Sequence, residues 1–526
     1  MPRSRQNAGA ARRSKRRKPH TCEGAPAGTF TAAVRYRGGL QRDGKVAEKP
    51  DQARMSRIVL VSNRVTDIRK APQAGGVAVA LADIVRTRPA LWFGWNGEIK
   101  PEPQTTAVER EGRIATVPLS QADHEAYYLG YSNSVLWPVF HNRLDLAQFE
   151  AGFFERYIGV NRRLAEQLRP LLRADDLIWV HDYHLLPFAT ELRRLGALNP
   201  IGFFLHIPFP PWQTFMAIPE HQQLARALAD YDLIGLQTKA DVANLVTYLE
   251  NGVYGRIVPD GRIRLLDRLV SVGSFPIGID VADFAHAKRD SGLVQAQARA
   301  SVLRIIGVDR LDYTKGLPQK FKAFGQFLAN NPRYRGQVVL TQIAPPTRGS
   351  VEAYADIRQQ LESLAGSING RFGELDWVPI HYIHRSTARR RLADIFRSSR
   401  IGLVTPLRDG MNLVAKEYVA AQDASDPGVL ILSQFAGAAE EMSQALIVNP
   451  YNIAETADVI RMAIEMPLPE RQKRHQALIE TVEKNDVVAW CRSFLAQLER
   501  IRGNNDPVSW RAPETIRAAL AKLQAT

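Results

Sequence analysis

Cysteine is almost absent from this chain: its 526 residues include two, Cys22 and Cys491, far apart and in unlike contexts. Two such residues support neither a disulfide framework nor a cysteine-based zinc site, which fits a reducing, cytoplasmic setting. No run of about 18 apolar residues occurs, so no membrane-spanning helix is indicated. No internal repeat of about 20–50 residues is found. The Gly-rich patterns of P-loop and kinase folds are missing, so phosphoryl transfer is not the natural chemistry. What is present is 45% hydrophobic and 23% charged residues, the profile of a soluble globular chain of two or three domains.

Acidic residues are the scarcer charged class, 54 Asp and Glu against 69 Lys and Arg, for a net charge of +15. The excess is local. Residues 1–54 hold fourteen Lys/Arg and four Asp/Glu, whereas the remainder is nearly balanced at 55 against 50. This first segment contains Arg12-Arg13-Ser14-Lys15-Arg16-Arg17-Lys18 and few large apolar residues, so it is expected to be disordered. A basic run can bind nucleic acid or an anionic membrane surface, although a solvated tail without function competes with that reading. The segment also lacks the apolar stretch of a signal peptide. Met55 immediately precedes the first strand, so residues 1–54 are also readable as translated upstream sequence.

From Arg57 onward, short apolar runs bounded by Gly, Pro, Asn or Asp alternate with amphipathic stretches. The runs read as buried strands: Ile58–Ser62, Leu91–Trp95, Leu177–His181, Ile201–His206, Leu233–Gln237 and Val270–Phe275. A second series follows at Leu303–Val308, Val338–Ile343, Val378–Ile383, Ile401–Val404, Val429–Leu432 and Leu446–Val448. Leu185–Leu195 and Leu413–Ala421 read as helices between them. Two α/β sets in succession predict two doubly wound, Rossmann-like domains, residues 55–278 and 279–484, facing across a cleft. The boundary falls in the Gly/Pro cluster Pro276–Asp280, a helix is predicted over 485–502, and 503–526 reads as a polar tail. In open parallel sheets ligands bind beyond the carboxyl ends of strands, so the residues that matter should follow strands.

Several do. Ser62-Asn63-Arg64 ends the first strand, and Gly75-Gly76 opens a helix; an Arg fork beside a helix N-terminus can grip a phosphate, though packing is the commoner reason for such a pattern. His181-Asp182-Tyr183-His184 leaves a strand, with Asp182 better read as an acceptor for sugar hydroxyls than as part of a metal site. His206 sits in a Pro-rich loop after the fourth strand, where a structural and a catalytic histidine are evenly balanced. Asp309 through Gly316 follows the first strand of the second set, and Arg310 and Lys315 can converge on one anion such as a departing nucleoside diphosphate. Arg408 through Glu417 follows Ile401–Val404. There Gly410 allows a tight turn, Asn412 is expected to cap the next helix, and Glu417 can accept from a ribose hydroxyl or simply favour a helix start.

As a set these segments resemble glycosyltransferase family 20, the trehalose-6-phosphate synthases of retaining, two-domain GT-B type. The likeness rests on the motifs above together with Leu91-Trp92-Phe93-Gly94-Trp95, Tyr127-Tyr128, Leu136-Trp137-Pro138 and Gln342-Ile343-Ala344-Pro345 with Arg348, and spans about residues 56–500. It implies transfer of glucose from a nucleoside diphosphate glucose, UDP-glucose first among them, to glucose 6-phosphate, giving trehalose 6-phosphate. By resemblance, Arg64, Tyr128, Asp182 and Arg348 bind the acceptor, and Trp137 and Ile207 select its α-anomer. Gly76, Val77, Arg310, Lys315, Thr387, Leu413, Val414, Ala415, Lys416 and Glu417 bind the donor; some relatives carry Phe where this chain has Thr387. His206, Arg310, Lys315 and Asp409 are the implied catalytic group.

The resemblance also implies that no cofactor or metal is required, in keeping with an expected lack of the Asp-x-Asp donor-metal signature of the other main glycosyltransferase architecture. It implies a family pattern that starts at Met55, a homodimer or homotetramer, and a separate phosphatase downstream. Three rivals stand beside it: the same fold with another acceptor such as glycerol 3-phosphate, a catalytically silent sugar-phosphate sensor, and a nucleic-acid binder acting through residues 1–54.

Overall fold

Strands that are apolar on both faces must be covered on both sides, and here helices do the covering. The computed structural model describes residues 56–66, 76–101, 109–285, 302–347 and 352–503. The first strands are β1 Ile58–Arg64, β2 Ala90–Lys100, β3 Glu109–Glu111, β4 Ile114–Ser120, β5 Leu177–His181, β6 Ile201–Phe204, β7 Leu233–Leu236, β8 Arg256–Ile257, β9 Ile263–Leu265 and β10 Arg268–Ser274. Among the described residues they form one sheet in the order β3-β4-β2-β1-β5-β6-β7-β10-β9-β8. From β4 across to β10 every neighbour is parallel, and β3 and the β8–β9 hairpin finish the edges antiparallel.

The second sheet holds β11 Leu303–Val308, β12 Val338–Ile343, β13 Ile380–Ile383, β14 Ile401–Val404, β15 Val429–Ser433 and β16 Leu446–Val448. Its order is β13-β12-β11-β14-β15-β16, parallel throughout. Each sheet therefore reverses direction at one point, between β1 and β5 in the first and between β11 and β14 in the second. Such reversals open a crevice at the strands' carboxyl ends. In register, Ser62 of β1 lies beside His181 of β5, which brings two of the motifs read from sequence to one crevice.

Three expectations need correction. The helix expected over Leu185–Leu195 is divided: a 3₁₀ turn covers Tyr183–Leu185 and an α-helix covers Phe188–Arg194, because Pro187 has no N–H to continue the ladder. β13 starts at Ile380 rather than Val378, since Val378 is exposed and precedes Pro379. The strands β3, β4, β8 and β9, toward the two margins of the first sheet, were not anticipated at all.

The helix Val487–Gly503 returns to the first sheet. Phe494 stacks on Trp179 at 4.5 Å and fills the space over Gly202 and Gly235, where a Cβ would come within 2.7 Å of its ring. Arg502 donates to Ser56 Oγ and the Asp175 carbonyl. The chain thus crosses between lobes twice, and the crossings touch: Val487 N–H donates to the Ile279 carbonyl, and a Cβ at Gly278 would lie 2.1 Å from the Asn485 carbonyl oxygen. Among the described residues no helix is long and apolar enough to cross a membrane.

Candidate active site

The first crevice gathers aromatic rings around a cation. Ser62 Oγ accepts from the Trp92 indole at 2.8 Å and donates to the Arg64 carbonyl, fixing the end of β1. The exposed Arg64 guanidinium lies 5.0 Å from the Trp95 ring centroid. Gly97, at φ +87°, makes room for it, since a Cβ there would meet the guanidinium at 1.5 Å. Tyr128 packs against the same Trp95 ring at 5.5 Å and stacks on His184 at 5.9 Å. Arg64 and Tyr128 are thereby brought together through a shared neighbour.

Tyr128 rides on a π-helix, His124–Leu136, that the sequence reading did not foresee. Asn133 Nδ2 and Ser134 Oγ donate to carbonyls five residues back, Tyr128 and Leu129, and help hold the wider turn. Such widened turns recur at functional sites. Trp137 follows directly, and His141 Nδ1 lies 2.7 Å from the Trp137 carbonyl. Burial lowers His141 to about 4, and the charged groups it senses are Asp312, Asp409 and Lys315 of the second lobe.

Asp182 departs from ordinary backbone, with φ +77° and ψ 164°, a region that side chains other than glycine avoid. Its N–H donates to the Phe204 carbonyl at 2.8 Å, and its Oδ1 accepts from His206 N–H at 3.3 Å. The His206 loop is therefore tied to the end of β5. His206 Nε2 lies 3.2 Å from His181 Nδ1. Burial depresses His206 to about 3, so it is neutral near pH 7. Ile207 beside it is buried.

The second crevice concentrates positive charge. Beneath its loop, Lys320 Nζ donates to Asp309 at 2.7 Å and to Gln342 at 3.1 Å, all three side chains buried. Asp312 accepts from both the N–H and the hydroxyl of Thr314, shaping the turn that presents Lys315. Lys315 is ion-paired with Asp409, which also accepts from Asn412 Nδ2 at 3.0 Å. Asn412 thus stands at the cap position but does not cap: its backbone is left-handed, φ +69°, and turns the amide toward Asp409 rather than the helix N–H groups.

The two crevices meet. The exposed Arg310 guanidinium lies 5.2 Å from the Trp137 ring centroid. A Cβ on Gly410 would sit 2.0 Å from the His206 carbonyl oxygen, and one on Gly437 would sit 1.8 Å from the Gly410 carbonyl. Only glycines permit this approach of the Asp409 loop to the His206 loop. Trp137, Asp182, His206, Ile207, Arg310, Lys315 and Asp409 therefore line one junction.

Of the other positions expected to bind the donor, Thr387 and Leu413 through Glu417 belong to the second lobe, and Gly76 and Val77 to the first. Leu413 and Val414 are partly exposed at the start of the Leu413–Ala421 helix, and Ala415 is buried. The buried Lys416 ammonium donates to the Ile277 carbonyl and Glu441. Glu417 faces Arg389 at 3.7 Å, and burial raises its carboxyl. Arg389 itself lies over Phe284 at 4.7 Å and was not anticipated. Thr387 is partly exposed just before the Arg389–Arg397 helix. Gly76 begins the helix Gly76–Thr87, with Val77 in its first turn. Gly75, Arg348 and residues 1–54 lie outside the described residues.

The expected lack of an Asp-x-Asp string needs correction: Asp230-Tyr231-Asp232 is one, although its carboxylates hold the scaffold. Asp230 accepts from Thr190 at 2.7 Å, and Asp232 from Arg193 and from Ile201 N–H. Nearby, a surface cavity of about 1040 Å³ is lined by Arg162, Glu191, Arg194 and Arg268. Its charges largely pair with one another, Arg162 and Arg194 with Glu191 and Arg268 with Asp230.

Residues 47–500 match the model of Glycosyltransferase family 20. The chain belongs to that family. The match begins ahead of Met55 rather than at it. The chain is 46% identical over 453 residues to a trehalose-6-phosphate synthase of Sodalis glossinidius, covering 85% of this chain and 97% of that protein. Among solved structures it is similar to an alpha,alpha-trehalose-phosphate synthase (UDP-forming) of Burkholderia vietnamiensis, with TM-score 0.82 and 48% identity over 85% of this chain and 97% of that one. It is also similar to the Burkholderia xenovorans enzyme in complex with glucose-6-phosphate, with TM-score 0.81 and 47% identity over 84% and 100% of the two chains. The fold is GT-B, two Rossmann-like sheets whose strand ends converge.

Proposed function

We propose that this family 20 enzyme transfers glucose from UDP-glucose to glucose 6-phosphate with retention, giving α,α-trehalose 6-phosphate and UDP. The observation that carries the reading is the junction where Arg310 meets Trp137 and the Lys315–Asp409 pair meets the His206 loop. Relatives support the substrates: one structure is bound to glucose-6-phosphate, and another, from E. coli, to UDP-2-fluoro glucose.

The residues divide the work as follows. Arg64, Tyr128, Asp182 and Arg348 hold the acceptor, with Trp137 and Ile207 shaping the wall that selects its α-anomer. The bond between the anomeric carbon and the diphosphate oxygen breaks, and the electron pair stays on the diphosphate. The acceptor hydroxyl oxygen bonds to the same face of that carbon, and its proton passes to the departing phosphate oxygen. Arg310 and Lys315 balance the charge as it develops. Asp409 fixes the Lys315 ammonium and remains beside the donor hydroxyls. His206, neutral by burial, orients by hydrogen bonding rather than by carrying charge. Gly76, Val77, Thr387 and Leu413 through Glu417 seat the nucleotide, the last helix offering N–H groups to phosphate. No metal is invoked in this scheme, and cytoplasmic operation goes with its soluble substrates.

The test is product analysis by NMR after incubation with glucose 6-phosphate and UDP-, GDP- or ADP-glucose in turn, without added metal. An α,α-1,1-linked disaccharide phosphate from UDP-glucose is expected. No product with any donor, from folded protein, overturns the reading in favour of another acceptor or a silent sensor.

A further inference from the structure

We infer that His181 is a positioning residue that fixes the tautomer of His206, so that His206 presents an Nδ1–H donor to the junction between the lobes. The proposal rests on the function above only for the place of His206 at the site.

The geometry leaves few arrangements. His181 Nδ1 and His206 Nε2 are 3.2 Å apart, and the rings lie 24° from parallel. Burial holds both below the ordinary histidine range, so each ring carries one proton near pH 7. A single hydrogen therefore lies between the two nitrogens, and its owner decides what the far side of each ring offers.

His181 Nε2 settles the ownership. It is buried and has no hydrogen-bond partner among the described residues. Its neighbours are Trp179 at 4.7 Å and Trp490 at 6.3 Å between ring centroids. Both indole N–H groups are themselves buried donors without an acceptor. Either arrangement leaves one donor unpaired in the free protein: an Nε2–H on His181, enclosed beside these indoles, stays unpaired, whereas an Nδ1–H on His206, a residue of the lobe junction, can be accepted by a bound sugar hydroxyl. His181 thus keeps its proton on Nδ1 and donates it to His206 Nε2. His206 must then carry its own proton on Nδ1, a buried nitrogen without a partner among the described residues.

The experiment uses the full chain labelled with ¹⁵N-histidine, the ligand-free ring signals being assigned with His206→Gln and His181→Asn variants. The expected result is His206 in the Nδ1–H form; an Nε2–H form overturns the proposal whatever the enzyme's substrates are. Kinetics give the second arm. His181→Phe keeps the bulk but loses the donor, and is expected to lower kcat/KM for the donor sugar by about 10–100-fold. His181→Asn, whose amide N–H reaches the same place, should recover most of that loss. Equal losses in a folded Asn and a folded Phe variant would mean that His181 only packs; should the Phe variant not fold, the tautomer alone decides.

Discussion

Arg310 offers a separation of catalysis from stability. Its side chain is exposed, lies over Trp137 at 5.2 Å, and makes no hydrogen bond or ion pair among the described residues. Arg310→Ala should therefore cost the fold about one exposed cation–π contact, about 0.5–1 kcal/mol. For a lobe of about 200 residues unfolding as a unit that lowers Tm by about 1–4 °C. The effect on turnover comes from a different source: a group that stabilises charge developing on the leaving diphosphate acts mainly in the transition state. Removing one such group costs about 10²–10³-fold in kcat, with the acceptor KM nearly unchanged. Arg310→Lys should fall between, since it keeps the charge but not the planar fork. The assay is UDP release at saturating donor and acceptor, beside thermal unfolding of the same preparations. A kcat within about tenfold of wild type would refute the charge-stabilising role. A Tm fall of more than about 8 °C would refute the claim that the fold does not depend on this side chain.

Other perturbations probe the scaffold and the acceptor site. Lys320→Met leaves the buried Asp309 without its cation and should destabilise by about 3–5 kcal/mol in urea unfolding, with the Asp309→Asn/Lys320→Met double variant recovering part of the loss. Glu440 of the second lobe accepts from Lys239 and Ala240 N–H, capping a first-lobe helix from outside; Glu440→Ala should cost about 0.5–2 kcal/mol and Glu440→Gln less. Arg348→Ala should chiefly raise the acceptor KM, measured with donor saturating. Burial raises the Asp241 carboxyl to about 6 from an ordinary 3.8, so the folded state holds that proton more tightly than the unfolded chain. Its contribution to stability is greatest below about pH 4, is lost between about pH 4 and 6, and is level above. Asp241→Asn removes that slope, so its stability relative to wild type should improve across this window; a difference independent of pH would count against the reading.

How much of this was legible in the sequence depended on whether the signal was local. β5, β11, β12, β14 and β16 were delimited to the residue because short apolar runs end abruptly in polar turns. The strand-end motifs were legible for the same reason: Ser62-Asn63-Arg64, His181-Asp182 and Asp309-Arg310 each interrupt an apolar run. Periodicity could not reveal the π-helix, because a ladder with five-residue spacing leaves no familiar apolar stripe along His124–Leu136. β3, β8 and β9 escaped because they are only two or three residues long, and β4 because Pro118 breaks its apolar run. Asn412 misled because residue type alone predicts a cap, whereas the contact with Asp409 selects a left-handed backbone that cannot make one.

Contacts between the lobes were invisible in the sequence, and they explain why the chemistry sits where it does. Gly410 and Gly437 look like ordinary turn glycines. In the fold each removes a Cβ that would collide with backbone, at the His206 carbonyl for one and the Gly410 carbonyl for the other. Arg408 lies within 3.7 Å of Asp241 beside this contact, and Glu440 closes it with two backbone hydrogen bonds. The Asp409 loop is thus pressed against the first lobe by absent side chains and held by charged ones. A larger residue at position 410 would push Asp409 and its Lys315 away from His206 while leaving both sheets intact. The alignment of the proposed catalytic residues therefore depends on residues that carry no chemistry, and a search for acids, bases and cations alone passes over them.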